Sequence, residues 1–290
     1  MTTLLIGYGL VGHYIADQFE TMNSDIVTMD ELDKEIENKN SLHINSRVYC
    51  SSQLNTICDQ HKINSIVIAA GVMSKYIRSY FEEALSKEAN MIQSIVTAIS
   101  NNNRIKRIIY LSSFAVYGST QRMDERDPIS PSSPYGIIKA YNEKLLLQIP
   151  GHIDVKIIRP VGVLGPIHGK SGNWMSTALC AIYYDRISPS SIKQLIHADH
   201  YVDVREVASL VYHLNFTDLD FSIINIGSTV NRGSKLLIDT INQVWNKKIK
   251  AHNNQKKQEI NIDRYYELGL SENYMLEDTI KFIGEVYEEC

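Results

Sequence analysis

The stretch Thr3-Leu-Leu-Ile6-Gly7-Tyr-Gly9-Leu-Val-Gly12 opens the chain with a short apolar run and a glycine-rich turn, followed from His13 to Thr21 by an amphipathic segment. In a strand that feeds such a turn and then a helix, glycines let the backbone bend sharply, let a pyrophosphate approach and let the helix pack on the sheet. The helix N-terminus adds unsatisfied N–H groups that favour phosphate charge. Gly7, Gly9, Leu10, Val11 and Gly12 are therefore candidate cofactor contacts. A second strand, Asp25 to Met29, ends in Asp30, which lies 18 residues after Gly12. A carboxylate there can accept from both ribose hydroxyls of NAD and would repel the 2′-phosphate of NADP, so NAD is the expected cofactor.

Outward from that turn, Arg47 to Cys50 reads as a third strand, Ser52 to His61 as a helix, and Ile63 to Ala70 as a strand apolar almost throughout. A strand buried on both faces has that composition. It ends in Ala69-Ala70-Gly71, small residues that let an adenosine or ribose lie close to the sheet edge. Tyr80 to Ser100 has helical periodicity without proline, and Ile105 to Leu111 is another buried strand. Strands and helices alternating in this way predict a Rossmann-type, doubly wound α/β fold with a parallel sheet.

The fifth strand delivers Ser112-Ser113-Phe-Ala-Val-Tyr-Gly118. Beyond a Ser/Pro-rich loop, Tyr135-Gly-Ile-Ile-Lys139 begins a helix on which Tyr135 and Lys139, four apart, share a face. A phenol titrates near ~10, and a cation held a few Å away favours the phenolate and lowers that value towards a working range. Ser113, Tyr135 and Lys139 can then meet beside a nicotinamide. One bonds the substrate oxygen, one moves its proton and one supplies positive charge.

Composition sets the outer limits. With 44% hydrophobic residues, 21% charged residues and a net charge of −4, the chain reads as an ordinary globular protein without the polycationic surface that nucleic acid would require. No apolar run approaches the ~18 residues of a membrane span, and no signal peptide is evident, so a cytoplasmic location is expected. Cys50, Cys58, Cys180 and Cys290 are scattered and read as reduced thiols. No His/Cys cluster has metal-ligand spacing, and no metal is expected.

Taken jointly, these motifs resemble the extended short-chain dehydrogenase/reductase family, which contains the NAD-dependent nucleotide-sugar epimerases and dehydratases. The likeness runs through the first-turn glycines, Ala69-Ala70-Gly71, Asn90, Ser112 to Gly118, Tyr135 to Lys139, Ile158-Arg-Pro-Val-Gly-Val-Leu-Gly-Pro166, Tyr201-Val-Asp-Val-Arg-Glu-Val-Ala208 and Asn225-Ile-Gly-Ser228. The resemblance implies that Ser113, Tyr135 and Lys139 are catalytic. It also places Asp30, Ala70, Asn90 and the Pro160 to Val163 segment around NAD. In the family the tyrosine removes a proton from a sugar hydroxyl while hydride passes to NAD, the serine bonds the same oxygen, and the lysine holds the ribose. It further implies a cofactor domain over residues 1–165, a smaller substrate-binding part over 166–290 with segments returning to the first, and a homodimer through the helices Tyr80 to Ser100 and Tyr135 to Gln148. In the second part, helices are expected at Trp174 to Asp185, Val204 to Asn215 and Lys235 to Trp245 and near the C-terminus, with a strand at Phe221 to Ile226.

Departures from the family pattern narrow the function. The first turn has one residue fewer than the usual Gly-x-x-Gly-x-x-Gly. Sugar 4,6-dehydratases carry Asp-Glu after the catalytic hydroxyl residue, where this chain has Phe114 and Ala115, so no carboxyl couple is available to eliminate water. Gly162 and Asp199-His200 stand where relatives place a diphosphate-binding Asn and Arg, each worth roughly 1.5–3 kcal/mol as a charge-assisted contact. Lys170, Lys193, Arg232 and the run Lys247 to Lys257 are possible substitutes. Trp174, Tyr183 and Tyr184 either line a sugar pocket or pack the core, with packing favoured for at least two of them. The leading expectation is an NAD-dependent epimerase or oxidoreductase acting on a sugar or nucleotide-linked sugar. The alternatives are a catalytically silent NAD-binding regulator or scaffold, and a reductase of a small molecule without a nucleotide.

Overall fold

The computed structural model describes residues 1–31, 42–46, 50–72, 74–100, 102–149, 151–167, 172–196, 199–230, 233–250 and 258–289. Its elements in chain order are β1 (Thr2–Ile6), α1 (Leu10–Thr21), β2 (Ile26–Asp30), β3 (Leu42–Asn45), α2 (Ser51–Gln60), β4 (Ile63–Ile68), α3 (Ser74–Ser79), α4 (Phe81–Ser100), β5 (Arg107–Leu111), a 3₁₀ turn (Phe114–Tyr117), β6 (Arg122–Met123), α5 (Pro134–Leu146), β7 (Asp154–Pro160), β8 (Gly162–Leu164), α6 (Trp174–Tyr183), α7 (Pro189–Ile196), β9 (Tyr201–Asp203), α8 (Val204–Phe216), β10 (Ile223–Ile226), α9 (Ser234–Val244), β11 (Glu259–Ile260), α10 (Asp263–Glu267) and α11 (Leu276–Glu288).

Seven strands form one parallel sheet in the order β10-β7-β5-β4-β1-β2-β3. The order reverses between β1 and β4, and ligands of open α/β sheets bind outside the carboxyl ends of the strands at such a switch point. Both faces are covered, which is why these strands carry apolar residues at successive positions. Leu5, Val67, Ile109, Ile158 and Ile224 face α1 and α8, whereas Leu4, Ile66, Ile108 and Ile157 face α2 and α4. Each fully buried aliphatic side chain contributes about 1.5–3 kcal/mol. The fold is thus the doubly wound α/β fold that the alternation predicts. β10 comes from the C-terminal part and extends the sheet beside β7. The rest of that part has its own core, in which Leu164, Met175, Leu179, Leu237, Ile241, Ile280 and Ile283 pack together.

The third strand lies earlier than its expected place over Arg47 to Cys50. Leu42–Asn45 pairs with β2, with Ile44 packing on the core and His43 Nδ1 2.8 Å from Thr28 Oγ1. Residues 47–49 lie outside the described residues, and Cys50 is the extended N-cap of α2. The pairing with β2 carries the strand to a register in which Asn45 stands beside Asp30. Apolar residues occur in both stretches, so composition alone does not choose between them.

Candidate active site

The carboxyl ends of β1 and β4 meet backbone to backbone. Gly7 has φ +99°, and a Cβ on it would lie 2.3 Å from Ala70 N and 2.6 Å from Ala70 Cα. The amides of Ala69 and Ala70 both donate to Ile6 O at 2.8 Å, locking the two strand ends together. A Cβ on Gly12 would lie 2.0 Å from Gly7 O, so the first turn of α1 sits directly on the loop. Gly9 is the N-cap of α1, where among the described residues no side chain caps the helix and no acid stands in its first turn. The N–H groups around Leu10, Val11 and Gly12 are thus presented at the positive end of the helix dipole. Leu10 also closes towards β8, its Cδ1 lying 3.3 Å from the position of a Cβ on Gly165. Asp30, half-buried, spans this loop, with Oδ2 accepting from Tyr8 N at 2.5 Å and Oδ1 from Glu31 N at 2.6 Å. A cradle bare of side chains, with amide donors at one end and a carboxylate beside it, fits the diphosphate and ribose of a dinucleotide.

Gly7→Ala tests that cradle. The residue would have to adopt a left-handed conformation and displace backbone rather than a flexible side chain. A loss of about 3 kcal/mol in urea unfolding is expected, together with loss of bound dinucleotide. An unchanged midpoint with dinucleotide retained would contradict this geometry.

Two strands away, β5 ends at Leu111, and Ser113 caps the following 3₁₀ turn by accepting from Ala115 N at 3.2 Å. That bond occupies a lone pair and leaves the hydroxyl proton for another acceptor. The turn is the seat of α5. A Cβ on Gly136 would lie 2.3 Å from Ala115 O, so the start of α5 abuts the Ser113 turn at backbone distance. Ser133 starts the helix, its Oγ accepting from Gly136 N at 3.0 Å, with Pro134 in the first turn. Tyr135 and Lys139 follow on one face.

Lys139 is only 4% exposed and donates from Nζ to Leu111 O at 3.1 Å. The ammonium lies 4.8 Å from the ring centroid of Tyr110 and 5.8 Å from that of Tyr135. Burial alone would lower its pKa, but Tyr110, Tyr135 and Glu88 outweigh it and hold the lysine above its ordinary range. The same burial pushes the Tyr110 phenol up. Lys139 is therefore a permanent cation beneath Tyr135 and close to Gly71, whose Cβ would lie 3.2 Å from Nζ. Ser113, Tyr135, Lys139, Gly71 and the Gly7–Ala70 cradle thus share one edge of the sheet. Pro160 and Val163 are buried at the end of β7 and in β8, on the far side of β5.

Asn90 is exposed on α4, while Glu88 is 2% exposed and turns inward. Glu88 Oε1 accepts from Val72 N at 2.5 Å, and Oε2 from Asn142 Nδ2 at 2.8 Å. The signal was available in the spacing: Ala84, Glu88, Ile92, Ile95 and Ile99 form the buried stripe of α4. Glu143, one turn beyond Lys139, is 1% exposed and is held by Arg159 through Nε at 3.0 Å and Nη2 at 2.7 Å. Ser112 Oγ donates to the same carboxylate, and Arg159 Nη1 reaches Tyr117 Oη at 2.8 Å.

At the positions that depart from the family pattern, Gly162 N donates to His200 O at 3.2 Å, and His200 Nε2 lies 2.7 Å from Gln258 O. Lys193 is exposed and Lys247 pairs with Asp185, while Lys170, Arg232 and residues 251–257 lie outside the described residues. Trp174 and Tyr183 pack on the C-terminal core, with Tyr183 edge-on to Trp245 at 5.2 Å.

Comparison with known proteins identifies the family and the fold. A model of the NAD dependent epimerase/dehydratase family matches residues 4–227. A putative UDP-glucose 4-epimerase of Methanocaldococcus jannaschii is 26% identical over 251 residues, spanning 81% of this chain and 79% of its own. Among solved structures, the UDP-glucose 4-epimerase of Bifidobacterium longum in complex with NAD+ and UDP superposes with a TM-score of 0.80 at 14% identity, covering 99% of this chain and 98% of that one. The dTDP-glucose 4,6-dehydratase of Bacillus anthracis in complex with NAD superposes with 0.81 at 16% identity, covering 100% and 97%. At these identities the superpositions establish a shared fold, and that fold carries both reactions.

Proposed function

Because this chain belongs to the NAD dependent epimerase/dehydratase family, we propose that it is a nucleotide-sugar epimerase acting on a UDP-linked hexose, with Ser113, Tyr135 and Lys139 as its catalytic residues. The cofactor is NAD, as the family requires. The observation that carries the proposal is the buried Lys139 ammonium beneath Tyr135, on the same sheet edge as the glycine cradle. A buried cation set beneath a phenol at the cofactor edge of the sheet is a candidate to act on that phenol's charge.

Bound NAD supplies a reversible hydride acceptor. Tyr135 takes the proton of the sugar hydroxyl and later returns it to the same oxygen, to which Ser113 directs its own O–H. Lys139 supplies the positive charge that a phenolate requires, and Leu111 O fixes its position. The proton taken is the proton returned, so these residues serve an inversion without net redox change. Phe114 and Ala115 favour this reading over dehydration, since neither offers a carboxyl group to expel water. The names of the Methanocaldococcus and Bifidobacterium proteins support the choice of a UDP-sugar. Residues 1–165, with β10, form the cofactor part in this reading, and 166–290 form the substrate part. Ile137 and Tyr141, 42% and 44% exposed on α5, offer an apolar face for a second copy.

The test is to denature the purified protein, identify the released dinucleotide, and incubate native protein with UDP-glucose. NAD is expected in the supernatant, UDP-galactose in the mixture by NMR, no accumulating NADH, and a light-scattering mass of two chains. Stoichiometric NADH or a dehydrated keto sugar would replace the epimerase with another activity of the family.

A further inference from the structure

We infer that Glu88 is a positioning residue for this reaction, fixing the Gly71–Val72 segment that lies against the Lys139 ammonium and balancing the charge of that lysine. The inference rests on the reading of Tyr135 and Lys139 as the proton-transferring pair.

A carboxylate in an otherwise apolar helix stripe loses its hydration and requires compensation. Among the described residues, Glu88 has that compensation from the active-site edge. One oxygen accepts from the backbone of Val72, immediately after Gly71, and the other from Asn142, whose Nδ2 also donates to Tyr110 Oη at 3.1 Å. A Cβ on Gly71 would lie 3.1 Å from Glu88 Oε1 and 3.2 Å from Lys139 Nζ, so the anion and the cation press against the same backbone position from two helices.

Strand β5 brings Tyr110 and Leu111 O, and α5 itself brings Tyr135 and Asn142. Helix α3 brings Tyr76 to the cluster around Tyr135, and α4 brings Glu88. Glu143 is engaged by Arg159 and Ser112, and Glu83 and Lys87 pair with each other on the outer side of α4. Among the described residues named above, Glu88 is therefore the carboxylate whose charge acts on Lys139. Its negative charge, together with Tyr110 and Tyr135, keeps the lysine charged. Removing that charge makes the site more positive and lets the phenolate form at lower pH.

Glu88→Gln removes the charge and keeps an oxygen for Val72 N. Asn142 Oδ1, buried without a partner among the described residues, can turn to accept from the new amide. Full-length wild type, Glu88→Gln, Glu88→Ala and Tyr135→Phe are compared with their copurified cofactor. The first readout needs no turnover: it is the ultraviolet tyrosinate signal present in each protein but missing from Tyr135→Phe. In Glu88→Gln that signal is expected to develop about one pH unit lower, and the acid limb of the pH–rate profile with UDP-glucose is expected to move with it. Glu88→Ala should shift both readouts the same way, so the result does not depend on one variant folding. A purely structural Glu88 would lower stability and leave both in place, which would overturn the inference. If Tyr135→Phe keeps wild-type turnover, the underlying reading fails. If turnover is lost in Tyr135→Phe and Glu88→Gln moves neither readout, the Glu88 inference alone fails.

Discussion

Replacing Tyr135 with phenylalanine is expected to lower turnover of the sugar nucleotide by about 10²–10⁴-fold, the usual contribution of a positioned general acid/base, while bound NAD is retained. Only an oxygen is removed. The ring stays in the cluster with Val72, Tyr76, Phe81 and Leu85, and the ammonium of Lys139 keeps its bond to Leu111 O. The cradle of Gly7, Gly12 and Ala70 does not involve the phenol. A fall in kcat with NAD content and melting temperature unchanged is therefore the signature of a lost proton carrier. If turnover survived, catalysis would lie elsewhere; if NAD content fell in parallel, the hydroxyl would be part of the binding site rather than of the chemistry.

Arg159→Ala is expected to cost about 3–5 kcal/mol, the largest stability effect anticipated for a single side chain here. Arg159 and Glu143 are 3% and 1% exposed, joined by two charge-assisted bonds at 3.0 and 2.7 Å. Deleting the guanidinium leaves a buried carboxylate with Ser112 and removes the donor to Tyr117 Oη. The melting midpoint should fall by about 10 °C. Replacing both members, as in Arg159→Met with Glu143→Leu, should recover a large part of that loss, because the cost lies in the unpaired charge. A single-variant loss below about 1 kcal/mol in calorimetry would show the pair to be dispensable. Activity should fall as well, since Glu143 stands one turn beyond Lys139 on α5 and ties that helix to β7 next to β5.

Much of this molecule was legible in one dimension. The glycine turn, the small residues at 69–71 and the alternation of apolar runs with amphipathic segments are local features, and local steric rules connect them to a doubly wound sheet. Ser113, Tyr135 and Lys139, the proposed catalytic residues, stood out as candidates because they fall at a strand end and at helical spacing. The strand at Leu42–Asn45 was not, because an edge strand is chosen by its pairing register with β2, and the sequence between Asp30 and Cys50 offers more than one apolar stretch.

The sequence alone determined the order of the elements, the glycine-rich turn with its acidic partner, and the hydroxyl, phenol and amine available for chemistry, since each depends on neighbours a few residues away. The tertiary structure alone decided that Asn142 joins the inward-turned Glu88 to Tyr110, and that Arg159 on β7 neutralises Glu143 on α5. Those partners lie between 16 and 54 residues apart along the chain. A buried charge is tolerated only where folding brings such a partner within hydrogen-bonding distance, and no local pattern records where that will be.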